Sequence, residues 1–317
     1  YQRLELEVVA KDIIVTTGGS EALSFALGSI LDPNDELIVP EPFYANYSGF
    51  AEAHNIKIVP ISCRFETQFS LPSIAEFEQL ITPRTKAILI CNPSNPTGYV
   101  YSKDELEQLA EIALKHNLFI LSDEVYREFV YDGAIHYSML SFEDLKEHVV
   151  VIDSVSKRYS MCGARIGFVV TRNSALRGAV LKFAQARLSP PTYAQIASEA
   201  ALDTEAHYFE EVLKEYSARR NFLVHALQQI PGVQTAIPKG AFYCIVKLPV
   251  KSAEEFAQWL LEHFSLDNET VMVAPAAGFY STKGLGEDEV RIAYVLEIDA
   301  LKRAVHILEK GLEAYLA

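Results

Sequence analysis

A lysine set among hydroxyl groups is the first feature of this sequence that could do chemistry. Lys157 stands between two apolar, β-branched runs, and Ser154, Ser156 and Arg165 lie close to it along the chain. Most lysines in such turns are simply solvated. Here two hydroxyls and a guanidinium could hold a phosphate beside the amine, which suits a lysine that carries a phosphorylated aldehyde as a Schiff base. The grouping indicates pyridoxal 5′-phosphate.

Three further groups follow strand-like segments and supply what such a cofactor needs. Asp123 could keep a pyridine nitrogen protonated, and Tyr126 or Asn95 could donate a hydrogen bond to the ring's phenolic oxygen. The Gly-Gly-Ser turn at 18–20 precedes a helical pattern, whose free N–H groups could bind a phosphate. Each feature alone has an ordinary explanation as a turn. Their joint placement at the ends of strands favours one shared site.

Apolar runs alternate with helical patterns through residue 170, which predicts the α/β class with a doubly wound, mostly parallel sheet. The predicted strands cover 36–40, 56–61, 86–91, 118–121, 149–152 and 166–170, after a first run that begins at 12. The predicted helices cover 73–81, 102–116, 173–185, 192–202 and 207–230, and a shorter one opens at 43–47.

The pattern of strands and helices differs in the last hundred residues, which predict a smaller α+β domain. Strands are predicted at 241–247, 271–273 and 290–295, and helices at 253–264 and 299–315. The expected division is a large cofactor-binding domain at 1–205 and a small C-terminal domain at 206–317.

Composition narrows the classes of partner. The chain has 317 residues and a formal net charge of −14, which disfavours nucleic acid and anionic membranes. No apolar run reaches the roughly 18 residues that a membrane span needs. Four scattered cysteines and eight unclustered histidines indicate neither a disulfide framework nor a metal site. Without a basic and apolar leader at the N-terminus, the expected compartment is the cytoplasm.

Six motifs occur in order over essentially the whole chain. They are Gly18-Gly19-Ser20-Glu21-Ala22-Leu23, Asn95-Pro96-Thr97-Gly98, Ser122-Asp123-Glu124-Val125-Tyr126, Ser154-Val155-Ser156-Lys157 with Gly163 and Arg165, Gly240-Ala241-Phe242-Tyr243, and Val290-Arg291-Ile292. In type, order and spacing they resemble the fold-type I pyridoxal-phosphate-dependent aminotransferases of the aspartate aminotransferase superfamily, class I/II.

The resemblance implies a role for each residue around the cofactor ring. Lys157 forms the covalent link to the cofactor and, once displaced by the substrate amine, acts as the general base. Asp123 pairs with the pyridine nitrogen. Asn95 and Tyr126 hydrogen-bond the ring oxygen, and Tyr44 stacks on the ring.

Two anion sites are implied as well. The resemblance implies that the phosphate is bound by backbone or side-chain groups of Gly19, Ser20 and Glu21, together with Ser154 and Arg165. Arg291 is implied to clamp the substrate's α-carboxylate, with Tyr44 and Asn95 beside it, and a planar guanidinium suits that bidentate task. Without the other motifs, Arg291 would be interpreted as a solvated arginine at the end of a strand.

The substrates are the least determined part. The resemblance is nearest to bacterial enzymes that are labelled aspartate aminotransferase, which implies L-aspartate and 2-oxoglutarate. Aromatic and kynurenine transaminases and C–S lyases share the superfamily and stay open as alternatives. Arg187 is a hypothesis for the residue that recognises a side-chain carboxylate.

The resemblance also bears on assembly and on completeness. Members of this superfamily are usually homodimers with the active site at the subunit boundary. The same fold also serves as a binding or regulatory module without turnover. The members carry several dozen more residues before the Gly-Gly turn. This chain begins at Tyr1, in what we predict to be the end of a helix, so an upstream segment is expected to be missing.

Overall fold

The computed structural model describes residues 1–317 and is built on a seven-stranded sheet. The strand order is β1-β7-β6-β5-β4-β2-β3, and β7 is the one strand that is antiparallel to the other six. The strands are β1 (Ile13–Thr16), β2 (Glu36–Glu41), β3 (Lys57–Ser62), β4 (Thr85–Cys91), β5 (Phe119–Asp123), β6 (Val149–Ser154) and β7 (Gly167–Val170). The predicted α/β class with a mostly parallel sheet is confirmed.

Continuous apolar strands form here because both faces of the sheet are covered. Alternate residues of one strand belong to different cores, so Val150 packs in the larger one while Val149 and Val151 pack in the other. The period of two along a strand sends neighbouring side chains to opposite faces. The covering helices are α1 (Gly18–Ile30), α2 (Asn46–Ala53), α3 (Ile74–Leu80), α4 (Lys103–His116), α5 (Val155–Arg158), α6 (Ser174–Arg187) and α7 (Thr192–Ala200).

A second, four-stranded antiparallel sheet lies in the C-terminal part, in the order β10-β11-β9-β8. Its elements are α8 (Ala206–Leu227), β8 (Gln234–Thr235), β9 (Tyr243–Lys247), α9 (Ala253–His263), β10 (Ala274–Pro275), β11 (Glu289–Ala293) and α10 (Ile298–Leu316). The domain boundary between 205 and 206 falls at the start of α8 and stays a prediction, because one apolar cluster runs through both parts. No helix combines the length and the apolarity that a membrane crossing would need.

Most differences from the expected elements concern short segments. The N-terminal residues form only a 3₁₀ turn at Gln2–Leu4, so the predicted end of a helix there is wrong. The strand predicted at 271–273 is also wrong: pairing with β11 places it at Ala274–Pro275, and Met272 is exposed. β8 was missed, since a strand of two residues is too short to show a period.

Candidate active site

The cavity that gathers the predicted residues lies at the carboxyl ends of the central strands. It has a volume of about 300 Å³ and is bordered by the ends of β4, β5 and β6 and by the start of α1. Ligands of open α/β sheets bind at this edge. The predicted site residues that line it are Gly19, Ser20, Tyr44, Asn95, Asp123, Tyr126, Ser154, Lys157, Arg165 and Arg291.

Asp123 ends β5 and presents its carboxylate to the cavity. The hydroxyl of Tyr47 donates to Asp123 Oδ2 at 2.8 Å, and the Val125 N–H lies 3.4 Å from Oδ1. Burial raises the pKa of Asp123 to about 6, while the hydrogen bond from Tyr47 works in the opposite direction. The carboxylate is therefore ionised above about pH 6 and can pair with a protonated ring nitrogen.

Lys157 lies on α5, the single helical turn that follows β6. Ser154 caps this turn, because its Oγ accepts from the Ser156 N–H at 3.1 Å and donates to the Ile166 carbonyl at 2.9 Å. The Lys157 ammonium is 5.8 Å from the centre of the Tyr126 ring. A capped turn between two buried strands fixes the direction of the lysine stem into the cavity.

Close packing of glycines builds the anion site at the start of α1. A Cβ atom on Gly18 would lie 2.4 Å from Arg165 Nη2, and one on Gly167 would lie 2.3 Å from the Gly18 carbonyl carbon. Only glycine lets β7, the helix start and the guanidinium meet this closely. The free N–H groups of α1 and the charge of Arg165 can together hold a phosphate.

Arg291 lies on β11 and reaches the cavity from the second sheet. Its guanidinium carbon is 4.6 Å from the centre of the Tyr243 ring and 4.8 Å from that of Phe279, so two aromatic rings hold the side chain. Nη1 donates to Asn95 Oδ1 at 2.9 Å. Arg291 Nε is buried and makes no hydrogen bond. This arginine is thus held in place at the cavity, where its guanidinium can bind an anion.

Two residues named from the sequence lie away from the cavity. The Glu21 carboxylate accepts from the Thr17 N–H at 2.7 Å and from Arg187 Nε at 2.9 Å. Arg187 Nη2 donates to the Val15 carbonyl at 3.1 Å. Neither side chain lines the cavity. The structure therefore gives the side chain of Glu21 no place at a phosphate, and it gives Arg187 none at a substrate carboxylate: together they tie α6 to the start of α1.

Several lining residues were given no role from the sequence. They are Leu23, Tyr47, Phe50, Cys91, Val125, Cys162 and Tyr243. Tyr47 follows Tyr44 in the same aromatic segment, but an aromatic residue at the start of a helix is interpreted from the sequence as a packing residue. Tyr243 shares a hydrogen bond of 3.1 Å with the hydroxyl of Tyr126, a pairing between distant segments that no local pattern predicts.

The cavity offers a partner for each reactive group of pyridoxal 5′-phosphate. That molecule has an aldehyde, a basic ring nitrogen and a phosphate, and the lining groups include an amine on Lys157, a carboxylate on Asp123 and the Arg165 anion site. The raised pKa of Asp123 shows a carboxylate placed where little water stabilises its charge, which a cationic ring would offset. Fold and cavity together therefore define an enzyme of the pyridoxal-phosphate-dependent class.

Comparisons with known proteins make the assignment specific. The family model "Aminotransferase class I and II" matches residues 2–308. The chain is 35% identical to the aspartate aminotransferase of Pyrococcus horikoshii, over 97% of this chain and 77% of that one. It is 33% identical to aromatic-amino-acid aminotransferase 2 of Thermococcus litoralis, over 95% of this chain and 76% of that one. The solved structure of alanine aminotransferase from Pyrococcus furiosus matches with a TM-score of 0.88 at 32% identity, covering 99% of this chain and 79% of that one.

The chain belongs to the class I and II aminotransferases. It is a pyridoxal-phosphate-dependent aminotransferase, and its substrates are an amino acid and a 2-oxo acid. The expectation of this family, cofactor and reaction is confirmed. The names of the relatives cover acidic, aromatic and small donors, so they leave the preferred amino acid open.

Proposed function

We propose that this enzyme transfers the amino group of L-aspartate to 2-oxoglutarate, with the cofactor held on Lys157. The convergence of Lys157, Asp123 and Arg291 on one cavity from three separate elements supports transamination, and the aspartate aminotransferases among the relatives support the choice of L-aspartate. When bound, pyridoxal phosphate supplies an electron-withdrawing ring that stabilises negative charge on the substrate's α-carbon.

Lys157 and Asp123 divide the proton chemistry between them. With the cofactor bound, the amine of Lys157 would act as general base and acid, moving a proton between the substrate's α-carbon and the aldehyde carbon of the cofactor. Asp123 stays ionised and keeps the ring nitrogen protonated. Its hydrogen bond from Tyr47, at 2.8 Å, favours the ionised form that this role needs.

Arg291 orients the substrate for that proton transfer. Its guanidinium can bind the α-carboxylate in a bidentate manner, and the flanking rings of Tyr243 and Phe279 limit its movement. Asn95 accepts from Arg291 Nη1 at 2.9 Å and lines the same cavity, so its amide would be a donor for the ring oxygen of the cofactor. Holding the substrate's α-carboxylate on Arg291 and its amine on the cofactor would bring its α-proton to the lysine amine.

A second candidate is an aromatic donor, and the walls of the cavity favour it. Tyr44, Phe50 and Tyr243 line the cavity with Leu23, whereas Arg187 does not. Apolar and aromatic walls receive an aromatic side chain well. A screen of L-aspartate, L-alanine, L-phenylalanine and L-kynurenine as donors with 2-oxoglutarate decides between the two. Aspartate turnover below that of phenylalanine would reject the aspartate proposal.

We also propose that the enzyme is a homodimer of the cytoplasm. α7 and the segments beside it expose large apolar side chains, with Tyr193 90% exposed, Leu188 76% and Ile196 59%. A second copy would cover such a patch.

The cysteines bear on the compartment. All four cysteines are free, which suits a reducing compartment such as the cytoplasm. The dimer has its own test. Light scattering should give twice the chain mass, Ile196→Glu should lower it, and Ile135→Glu, at another exposed apolar residue, should not.

Trapping tests the central assignment. Borohydride reduction followed by peptide mass spectrometry should place the cofactor on Lys157 and on no other lysine. Adding L-aspartate or L-glutamate should convert the visible spectrum from the aldehyde form to the amine form. A cofactor trapped elsewhere would refute the role of Lys157. A spectrum that does not respond to any amino donor would instead favour a binding or regulatory module.

A further inference from the structure

A closed ring of four charged side chains lies beside the lysine turn, and we call it the quartet: Arg127, Glu128, Asp153 and Arg158. Arg127 Nη1 is 2.9 Å from Asp153 Oδ2, and Arg158 Nη2 is 3.3 Å from the same oxygen. On the other side, Arg158 Nε is 2.8 Å and Arg127 Nε is 3.4 Å from Glu128 Oε1. Each arginine thus contacts both acids.

The quartet is largely shielded from water and balanced in charge. The side chains of Asp153, Arg127 and Arg158 are 2%, 5% and 12% exposed, and Glu128 forms the outer edge at 39%. Burying such groups is expensive, and apolar residues in their place would often be at least as stable. The contribution of the quartet to stability is therefore a poor explanation for its presence. Its position beside the two segments of the site explains it better.

The quartet joins the two segments that carry the cofactor contacts. Arg127 and Glu128 directly follow Tyr126, while Asp153 and Arg158 flank the lysine turn. The pairing of β5 with β6 ends at Asp123 and Ile152. Beyond that register the backbone adds one bond, from the Glu124 N–H to the Ile152 carbonyl at 2.9 Å. The charged ring continues the connection where the sheet stops.

Few other polar groups meet the quartet. The Tyr1 hydroxyl lies 3.3 Å from Asp153 Oδ2, the Tyr1 ring stacks on Arg127, and the Ser154 N–H donates to Asp153 Oδ1 at 2.8 Å. Burial opposes the ionisation of Asp153, but Arg127 and Arg158 outweigh it and lower its pKa. The buried Glu124 carboxylate, the buried His136 imidazole and the Tyr1 ammonium also contribute to the electrostatic surroundings of the quartet. The quartet thus pairs two arginine side chains with two acidic side chains.

We propose that the quartet positions Lys157 opposite the Asp123–Tyr126 segment, and that its two acids offset the charge of its two arginines beside the site. Its members are positioning residues, since none of them lines the active-site cavity. The inference rests on the role of Lys157 proposed above. Displacing a catalytic amine by a fraction of an ångström lowers turnover much more than it lowers substrate binding.

Two variants test the inference, one that removes an acidic side chain from the quartet and one that removes an arginine. They change the charge of the quartet in opposite directions. Asp153→Asn removes one negative charge from the quartet, whereas Arg158→Gln removes one positive charge. In the holoenzyme, the pH midpoint of the cofactor's visible absorbance change should therefore fall in Asp153→Asn and rise in Arg158→Gln, each by up to about one unit. The double variant removes one charge of each sign and should return towards the parent midpoint. This readout does not depend on turnover.

Kinetics supply the second readout. Each single variant should lower kcat by about 10- to 100-fold and change the donor KM by less than about 2-fold. The double variant should be no slower than the slower single variant, because both changes open the same ring. Should Asp153→Asn fail to fold, Arg158→Gln, at the more exposed arginine, carries the test alone through its raised midpoint and its kcat.

Asp132→Asn is the matched control. It also removes an acid paired with a buried arginine, Arg220 Nη2 at 2.7 Å, but it lies away from the lysine turn. Its kcat and absorbance midpoint should stay within about 2-fold and about 0.2 unit of the parent. The inference is overturned if the quartet variants match this control, or if both midpoints move in the same direction. Failure of the proposed function would look different: the parent itself would not trap cofactor on Lys157.

Discussion

Replacing Tyr47 by phenylalanine should weaken cofactor binding near neutral pH and spare it in alkali. The lost hydroxyl donates to Asp123 Oδ2 at 2.8 Å. A hydrogen bond to a charged group contributes about 1.5–3 kcal/mol, and one pKa unit corresponds to about 1.4 kcal/mol. Losing the bond should therefore move the pKa of Asp123 from about 6 to about 7–8.

The direction of the pH effect on cofactor binding depends on which form of Asp123 binds the cofactor. The protonated ring nitrogen needs the Asp123 carboxylate, so binding is strong above the pKa of Asp123 and is lost as the pH falls through it. At pH 7 the ionised fraction drops from about 90% to between about 50% and about 10%. We expect the dissociation constant of pyridoxal phosphate to rise about 2- to 10-fold at that pH and to approach the parent value near about pH 9.

The assay is a titration of the cofactor-free protein with pyridoxal phosphate across the pH range. Tyr131→Phe serves as the control, because it also deletes a buried hydroxyl, one that donates to the Ala241 carbonyl outside the cavity. Its binding midpoint should match that of the parent. If Tyr47→Phe binds with an unchanged midpoint, or is weakened equally at every pH, the hydroxyl does not control Asp123 and the reasoning fails.

Three further changes test other parts of the site. Gly167→Ala would place a methyl group 2.3 Å from the backbone of the Gly-Gly turn, so cofactor binding should weaken at least about 10-fold, whereas Gly163→Ala meets nothing within 4 Å and should bind normally. Arg187→Ala should leave the ratio of aspartate to alanine turnover unchanged but weaken cofactor binding a few-fold, since it releases Glu21; an altered ratio would contradict this. An arginine partner lowers the pKa of Asp132 from 3.8 to about 2, so the melting-temperature difference between the parent and Asp132→Asn should be largest above about pH 4 and vanish near pH 2.

Local patterns were sufficient to predict the large sheet and most of the cavity. Strands buried on both faces must be apolar throughout, so runs such as the one that became Val149–Ser154 stand out from the sequence. Parallel strands bring their carboxyl ends to one edge, and this places Asp123 and Lys157 together without knowledge of any contact. The resemblance then supplied Arg291, which reaches the cavity from the second sheet.

Side-chain partners between distant elements could not be predicted in this way. Glu21 belongs to a motif that suggested a phosphate ligand, yet an arginine 166 residues further along the chain holds its carboxylate. Tyr47 is a packing aromatic by its sequence, and only the fold brings its hydroxyl to Asp123. Such pairs depend on how helices dock, which a single sequence does not encode in any local period.

The charge inside the cavity sets a limit on which donors this chain can recognise by itself. Although the chain carries a net charge of −14, the cavity is lined by three cations, Lys157, Arg165 and Arg291, and by one carboxylate, that of Asp123. The proposed roles use all three, for the aldehyde, the phosphate and the α-carboxylate. The side-chain carboxylate of aspartate would then need neutral donors such as the Tyr44 hydroxyl, or a group from the partner subunit. Donor preference and oligomeric state should therefore change together: if aspartate is preferred, Ile196→Glu should reduce aspartate turnover more than alanine turnover.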